Sequence, residues 1–299
     1  MGVQTQNVFD ISQWRKSVAT EMDAFQFQQW TDLLANRTGI SLSETRRSFL
    51  LTSLNTRMHE LAIDSYQAYY NFLLSGRKGD IEWETLVDRL TVHETRFFRD
   101  EHALNLIRDV YLGQLNTSSK KNITVWSVGC ATGEESYSLA IELDDYLKNN
   151  DKEYYYAVTG SDISSAAIMA ARKGVYKNNR LSNIPDNVMS EYVDEHDETS
   201  FKVKDFLRQR VCFNQINLLE LKNIKVGLMD IIVCQNVLIY FKREQRLQIL
   251  NGLVAHLKQG GLLILGPGEI HGWGHPEMKS VAYDSTLAFC RTKNQESRA

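Results

Sequence analysis

The stretch ITVWSVGCATGEE, residues 123–135, decides the fold of this chain. An apolar run of strand length is followed by a loop with two glycines and then by the start of a helical pattern. In a doubly wound α/β fold, the first turn between strand and helix approaches a nucleotide, and glycine permits close contact with the backbone. The stretch therefore predicts a nucleotide-binding sheet.

The spacing and charge of this loop narrow the choice of ligand. Gly129 and Gly133 are four residues apart, which is not the GxGxxG spacing of dinucleotide sites. Glu134 and Glu135 would repel a pyrophosphate, whereas they suit a cationic ligand such as S-adenosylmethionine, which carries an ammonium and a sulfonium. Alternatively, both glutamates only stabilise the N-terminus of the helix. The loop alone leaves both interpretations open.

A further acidic residue, Asp162, ends the next predicted strand, YYYAVTGSDI. An aspartate at this place accepts hydrogen bonds from a ribose diol in nucleotide-binding sheets. It can also cap the following helix, as can Ser164. Because an NAD site predicts the same aspartate, Asp162 indicates adenosine rather than a particular reaction.

The chain has two regions with different patterns. Residues 1–115 repeat apolar side chains at helical spacing and predict an all-α N-terminal domain. Residues 116–299 alternate strands with helices and predict an α/β domain with a mostly parallel sheet covered on both faces. Residues 176–210, which contain the acidic stretch DEHDET, break the alternation and predict a small inserted antiparallel β subdomain, with a long irregular loop as the alternative.

Composition argues against several classes of protein. The 299 residues carry a net charge of −3, with a pI near 6.2, so a nucleic-acid partner is not expected. The four cysteines form no CxxC pair, and glycines and a proline surround His271 and His275, so no metal site is expected. Short apolar runs and a polar N-terminus predict a cytoplasmic protein without membrane insertion.

Five ordered segments make the sequence similar to the CheR family of chemoreceptor glutamate methyltransferases over nearly its whole length. They are TVHETRFFRD (91–100), WSVGCATGEESYSLA (126–140), SDISSAAIMAARKGVY (161–176), VCFNQINLLE (211–220) and DIIVCQNVLIYF (230–241). The resemblance implies a class I methyltransferase domain behind the helical domain. It also implies S-adenosylmethionine as cofactor, S-adenosylhomocysteine as product, and, as substrate, glutamates in the cytoplasmic helical region of a methyl-accepting chemoreceptor. A monomer is expected.

The same resemblance assigns residues to the site. It implies that Arg99 and Tyr240 act at the transfer site. It implies a set of cofactor-binding residues, namely His93, Thr95, Arg99, Gly129, Glu135, Asp162, Asn217, Leu218, Cys234, Gln235 and Asn236. His93 and Gln235 stand where many members have asparagine and arginine. These departures suggest a PilK-like branch that serves a type IV pilus pathway rather than flagellar chemotaxis.

The predicted reaction needs no general base, because a glutamate with a pKa near 4.3 is already ionised at neutral pH. The enzyme must instead align the carboxylate oxygen, the methyl group and the sulfur, and exclude water. Arg99 can pair with a carboxylate through two hydrogen bonds, although a surface ion pair with Asp100 or Glu101 is its alternative role. The Tyr240 hydroxyl can orient the attacking oxygen, with core packing as its alternative.

Other functions stay open on the sequence alone. Arginines in the N-terminal helices form either a solvated face or a docking surface for an acidic receptor helix; they are Arg37, Arg46, Arg47 and Arg57. A catalytically weak module that senses the cofactor or tethers a receptor would keep the same fold. A nicotinamide-dependent dehydrogenase is disfavoured by the glycine spacing and the acidic loop.

Overall fold

The computed structural model describes residues 21–91, 94–115, 122–181 and 190–292. The chain divides into two compact units. One contains the chain up to Arg37 together with Leu42–Leu90, and the other contains Thr38–Ser41 and the chain from Thr91 onward. This division differs from the predicted boundary near residue 115. The helical segment after residue 100 belongs to the second unit because Leu106 and Leu112, both fully buried, pack in the core beneath the sheet.

The first unit is helical, as its apolar periodicity predicts. Trp30, Leu54 and Tyr69 lie almost fully buried on the apolar faces. Gly79 lies within the helix Arg77–Leu90, although glycine often ends a helix. A Cβ there would be 2.5 Å from the carbonyl oxygen of Phe72, so the position needs glycine for space. The helices are α1 Ala24–Thr38, α2 Arg47–Glu60, α3 Tyr66–Leu73 and α4 Arg77–Leu90.

The arginines of the first unit do not form a uniformly solvated face. Arg57 donates its Nε to Glu82 over 2.7 Å, and Glu82 is 5% exposed and also accepts the Tyr69 hydroxyl. This buried pair ties two helices together. Arg37 forms a more exposed ion pair of 3.1 Å with Asp80, which contributes little to stability.

The second unit contains a seven-stranded sheet and a separate three-stranded sheet. The strands are β1 Asn122–Val128, β2 Tyr155–Asp162, β3 Val175–Lys177, β4 Val193–Asp197, β5 Ser200–Val203, β6 Val211–Gln215, β7 Met229–Cys234, β8 Leu257–Leu265, β9 Met278–Val281 and β10 Leu287–Arg291. The large sheet has the order β6-β2-β1-β7-β8-β10-β9. Strands β6 to β8 in that order are parallel, and β10 runs antiparallel to both neighbours.

Helices cover both faces of the large sheet. They are α5 Glu101–Leu106, α6 Glu134–Asn149, α7 Ser165–Lys173, α8 Asp205–Arg208 and α9 Arg243–Ala255. Ile231 and Ile232 are neighbours on β7, yet they belong to separate hydrophobic clusters and are both fully buried. Burial on both faces explains why the central strands are continuous apolar runs rather than alternating ones.

The small sheet confirms the predicted inserted subdomain. Its order is β3-β5-β4, with both pairings antiparallel. The Tyr176 hydroxyl of β3 donates over 2.7 Å to the carbonyl oxygen of Thr132, so the subdomain contacts the glycine loop directly.

The sequence pattern did not predict strand β9 of the large sheet, because the strand is short and its residues are at most half-buried. Among the described helices, none has the length and apolar character of a membrane span.

Candidate active site

The site lies where the strand order reverses, between β1 and β7. Ligands of open parallel sheets bind in the crevice outside the carboxyl ends of the strands at such a point. A cleft opens here, and its wall mixes charged, polar and apolar side chains. The residues that line it are Arg99, Asp100, Ala103, Leu104, Glu135, Ser138, Leu139, Val233 and Gln235.

In the glycine loop after β1, neighbouring side chains lie too close to the two glycines for any larger residue to fit. Gly129 has a φ of +71°, and a Cβ there would lie 2.2 Å from Cγ2 of Val237. Gly133 has a φ of +97°, and its Cβ would lie 2.8 Å from that of Ala171. Both positions therefore require glycine for conformation and for space. The sequence predicted the glycines, but not that Val237 is the neighbour of the first.

Asp162 holds the glycine loop in shape. One carboxylate oxygen accepts from the backbone N–H of Ala131 over 2.9 Å, and the other accepts from that of Ser164 over 2.9 Å. Ala131 has a φ of +48°, a left-handed conformation that the first bond helps to maintain. Ser164, rather than Asp162, caps α7 by accepting the N–H of Ala167. A carboxylate oxygen can accept more than one hydrogen bond, so the residue has the chemistry to accept a ribose hydroxyl as well.

Replacing Asp162 by asparagine tests this double role. In Asp162→Asn an amide NH2 faces a backbone donor, so the affinity for S-adenosylhomocysteine is expected to fall about tenfold. Calorimetry measures the affinity. Asp197→Asn is the matched control, since Asp197 likewise accepts a backbone N–H, that of Thr199, but in the inserted subdomain. Equal affinities for the two variants would reduce Asp162 to a local loop contact.

Glu135 is the acidic group of the cleft wall. Its carboxylate accepts the hydroxyl of Ser127 over 2.7 Å. Burial raises the pKa of Glu135 to about 7, and the carboxylates of Asp100 and Glu269 add to the rise, whereas Ser127 and Arg99 oppose it. A desolvated carboxylate beside an open cleft gains from a cationic partner. The residue therefore fits the ammonium of S-adenosylmethionine.

Arg99 belongs to the second unit, the same unit as the large sheet. The exposed guanidinium donates to the carbonyl oxygen of Glu94 over 2.8 Å and to Oδ1 of Asn236 over 3.3 Å. Phe98, with a φ of +50°, donates its N–H to Ser138 on α6. Asn236 also has a positive φ, +60°. Left-handed residues thus flank the cleft, as is common at functional sites.

The segment after β7 supplies the remaining predicted residues. Gln235 is 7% exposed and donates to Asp100 over 2.7 Å, while Asp100 caps α5 through the N–H of Ala103. Cys234 is fully buried, and burial raises the pKa of its thiol well above the ordinary value. Cys234 therefore contributes to core packing.

Three other predicted cofactor residues, Thr95, Asn217 and Leu218, are not among the residues that line the cleft. Thr95 is 9% exposed, and its carbonyl oxygen accepts from Arg180 of the inserted subdomain. Asn217 accepts the N–H of Leu219 and caps a 3-10 turn that begins at the half-buried Leu218. His93 lies outside the described residues.

Tyr240 ends the 3-10 turn Leu238–Tyr240, four residues after Asn236. Its ring is half-buried against the hydrophobic cluster on one face of the sheet, and its carbonyl oxygen accepts the N–H of Ser41. Tyr240 thus lies on the same segment as Asn236, which accepts a hydrogen bond from Arg99.

The sequence did not indicate three residues that contact the site, namely Ser127, Ser138 and Glu269. Only Glu269 had a signal, as a charged residue in the turn that follows the buried apolar strand Leu257–Leu265.

This strand order, with a glycine loop after β1 and an aspartate at the end of β2, defines an S-adenosylmethionine-dependent methyltransferase of class I. Residues 93–285 match the family model "CheR methyltransferase, SAM binding domain", and residues 26–91 match "CheR methyltransferase, all-alpha domain". The chain belongs to the CheR methyltransferase family, and the resemblance found in the sequence is confirmed.

Curated relatives agree with this assignment. The chain is 33% identical to chemotaxis protein methyltransferase 2 of Pseudomonas aeruginosa over 246 residues, which cover 81% of this chain and 85% of the relative. It is 31% identical to the chemotaxis protein methyltransferase of Escherichia coli over 265 residues, which cover 87% and 89%. The Klebsiella aerogenes chemotaxis protein methyltransferase is 32% identical over 81% of this chain and 82% of its own.

Proposed function

We propose that the protein is a cytoplasmic protein-glutamate O-methyltransferase that forms methyl esters on glutamates of a chemoreceptor and so tunes its signalling. The observation that carries the proposal is that Glu135 and Arg99 line the same cleft at the carboxyl edge of the sheet. The negative charge of Glu135 suits the cationic cofactor, and the positive charge of Arg99 suits an anionic acceptor. The relatives named chemotaxis protein methyltransferases support the same substrate class.

Different predicted residues would bind different parts of the cofactor. S-adenosylmethionine supplies a methyl group on a positively charged sulfur. Glu135 would pair with its ammonium, Asp162 would accept from its ribose, and Asn217 and Leu218 would lie beside its adenine. Gln235 lines the cleft, and the proposal includes the other residues of the predicted cofactor set, namely His93, Thr95, Gly129, Cys234 and Asn236.

Arg99 would orient the acceptor carboxylate. Among the cleft-lining residues that the structure describes, it alone carries a positive charge, whereas Asp100 and Glu135 are acidic. A glutamate side chain that enters the cleft is therefore attracted by Arg99 and repelled by the acidic groups. The Tyr240 hydroxyl would hold the attacking oxygen in line. Because the nucleophile is ionised at neutral pH, alignment and exclusion of water account for the catalysis.

Labelled methyl transfer tests the function. The purified chain, labelled S-adenosylmethionine and a cytoplasmic receptor fragment should give base-labile label on glutamates, and a fragment with those glutamates replaced by glutamine should take up none. Calorimetry should show binding of S-adenosylhomocysteine and none of NAD. Cofactor binding without transfer to any receptor fragment would instead support a sensing or tethering module. A monomer is proposed, and fragments from pilus-type and flagellar receptors would decide between the two branches.

A further inference from the structure

The segment Asn236–Phe241 carries Tyr240 but is not part of a regular strand. It starts with a left-handed residue, Asn236, and ends in a single 3-10 turn. Such a segment has few backbone hydrogen bonds of its own to fix it. Contacts from elsewhere in the fold help to fix its position. Ser41 donates its N–H to the carbonyl oxygen of Tyr240, and two side chains, those of Glu269 and Arg246, bind further backbone groups of the segment.

Glu269 ties this segment to the end of β8. The residue is 2% exposed, and its carboxylate accepts the N–H of Leu238 over 2.9 Å and the N–H of Gly266 over 2.8 Å. A Cβ on Gly266 would lie 2.4 Å from the same carboxylate and 3.1 Å from the backbone nitrogen of Asn236. Glycine at this position therefore lets one buried charge bridge the carboxyl ends of β7 and β8.

Arg246 holds the same segment from the other side. Near the start of α9, its guanidinium donates over 2.8 Å to the carbonyl oxygen of Phe241 and over 3.4 Å to that of Ile239. A third bond, of 2.9 Å, goes to the carbonyl oxygen of Glu269. The two carbonyl groups on either side of Tyr240 are thus fixed by one planar group, which lysine cannot imitate.

We propose that Glu269 and Arg246 are positioning residues for methyl transfer, which set the place of the Tyr240 hydroxyl and of Asn236. Neither lines the cleft. Their effect passes through the backbone of residues 236–241. The proposal rests on the proposed function for its kinetic consequence, but not for its structural one.

The first test replaces the guanidinium and keeps its charge. Arg246→Lys should lower the single-turnover methylation rate about tenfold at saturating cofactor, with the affinity for S-adenosylhomocysteine changed less than about threefold. Arg291→Lys is the matched control, because Arg291 also donates to a main-chain carbonyl, that of Val254, but in the last turn of α9. The control should methylate at the wild-type rate. Equal rates for the two variants would overturn the proposal.

A double-mutant cycle separates positioning from general loosening. Tyr240→Phe alone should slow transfer about tenfold, because only the hydroxyl is lost. If Arg246 acts through that hydroxyl, adding Arg246→Lys to Tyr240→Phe should cost less than about twofold more. Full additivity of the two losses would show that Arg246 does not position Tyr240.

Hydrogen exchange gives a result that is independent of activity. In Arg246→Lys and in Glu269→Gln, amides of residues 236–241 should exchange at least about tenfold faster. Asp230→Asn controls for loss of a buried carboxylate, since Asp230 is 1% exposed and accepts a backbone N–H at the opposite edge of the sheet. Unchanged exchange in both variants refutes the proposal. A wild-type chain that transfers no methyl group would refute only the proposed function.

Discussion

Arg99→Ala is expected to lower the rate of methyl transfer to a receptor fragment about 100-fold at saturating cofactor, because the variant loses the charged group proposed to orient the acceptor carboxylate. The variant also releases Asn236, whose Oδ1 accepts from the guanidinium. Arg99→Lys should recover part of the rate, since it keeps the charge but not the planar pair of donors. Single-turnover labelling measures the rate, and calorimetry measures the affinity for S-adenosylhomocysteine.

Arg96→Ala is the control for this experiment. Arg96 is an exposed arginine in the same segment, three residues earlier, and it does not line the cleft. Its removal should leave the rate unchanged. If Arg99→Ala transfers methyl groups as fast as Arg96→Ala, Arg99 is an ordinary surface arginine.

Glu135→Gln is expected to weaken binding of S-adenosylhomocysteine about 100-fold at pH 7.5, because the charge proposed to pair with the ammonium is removed. The substitution keeps the shape, and its amide oxygen can still accept the hydroxyl of Ser127. Calorimetry is the measurement. Glu142→Gln is the control, since Glu142 is a buried glutamate of the same helix that pairs with Arg108 away from the cleft. A loss of affinity in both variants would indicate damage to α6 rather than loss of a ligand.

The pH dependence gives a second signature of Glu135. Its folded-state pKa is about 7, and only the ionised form pairs with an ammonium, so cofactor binding releases a proton at low pH. The affinity of the wild type should fall about eightfold between about pH 7.5 and pH 6. Glu135→Gln should show no such fall over the same interval. A wild-type affinity that is flat with pH would rule out Glu135 as the titrating partner.

The sign of the stability effect follows from the same pKa. Because the folded-state value is raised, the protonated carboxyl favours folding. This contribution is lost as the pH rises from the unfolded-state value, near 4.5, to about 7. Above pH 7, Glu135→Gln should therefore be at least as stable as the wild type in thermal unfolding. A clearly less stable variant would show that the ionised group has a structural partner.

Much of the fold could be predicted from local patterns in the sequence. The alternation of apolar runs and helical repeats predicted the sheet, and the break at residues 176–210 predicted the inserted subdomain. Gly129 and Asp162 were identified because turn conformation and charge are properties of single positions. The residues around them were not, since Val237 and Ala131 are ordinary residue types at those places.

The domain boundary shows a limit of such patterns. The repeat at Leu104, Ile107 and Val110 correctly predicted helical structure, but it reports only that one face is buried. It does not say which core buries that face. Packing against the sheet assigns the segment to the second unit, where Asp100 and Arg99 reach the carboxyl ends of the strands.

Local sequence patterns are enough to predict the class of fold, the glycine loop, the acidic residues suited to the cofactor and, through the family motifs, the candidate site. Which of these groups lie in contact follows from the packing of the whole fold. Arg99 and Asn236 are 137 residues apart, and Glu269 reaches Leu238 across 31 residues. Periodicity and residue type encode burial and conformation one position at a time, whereas such contacts depend on how separate elements pack together.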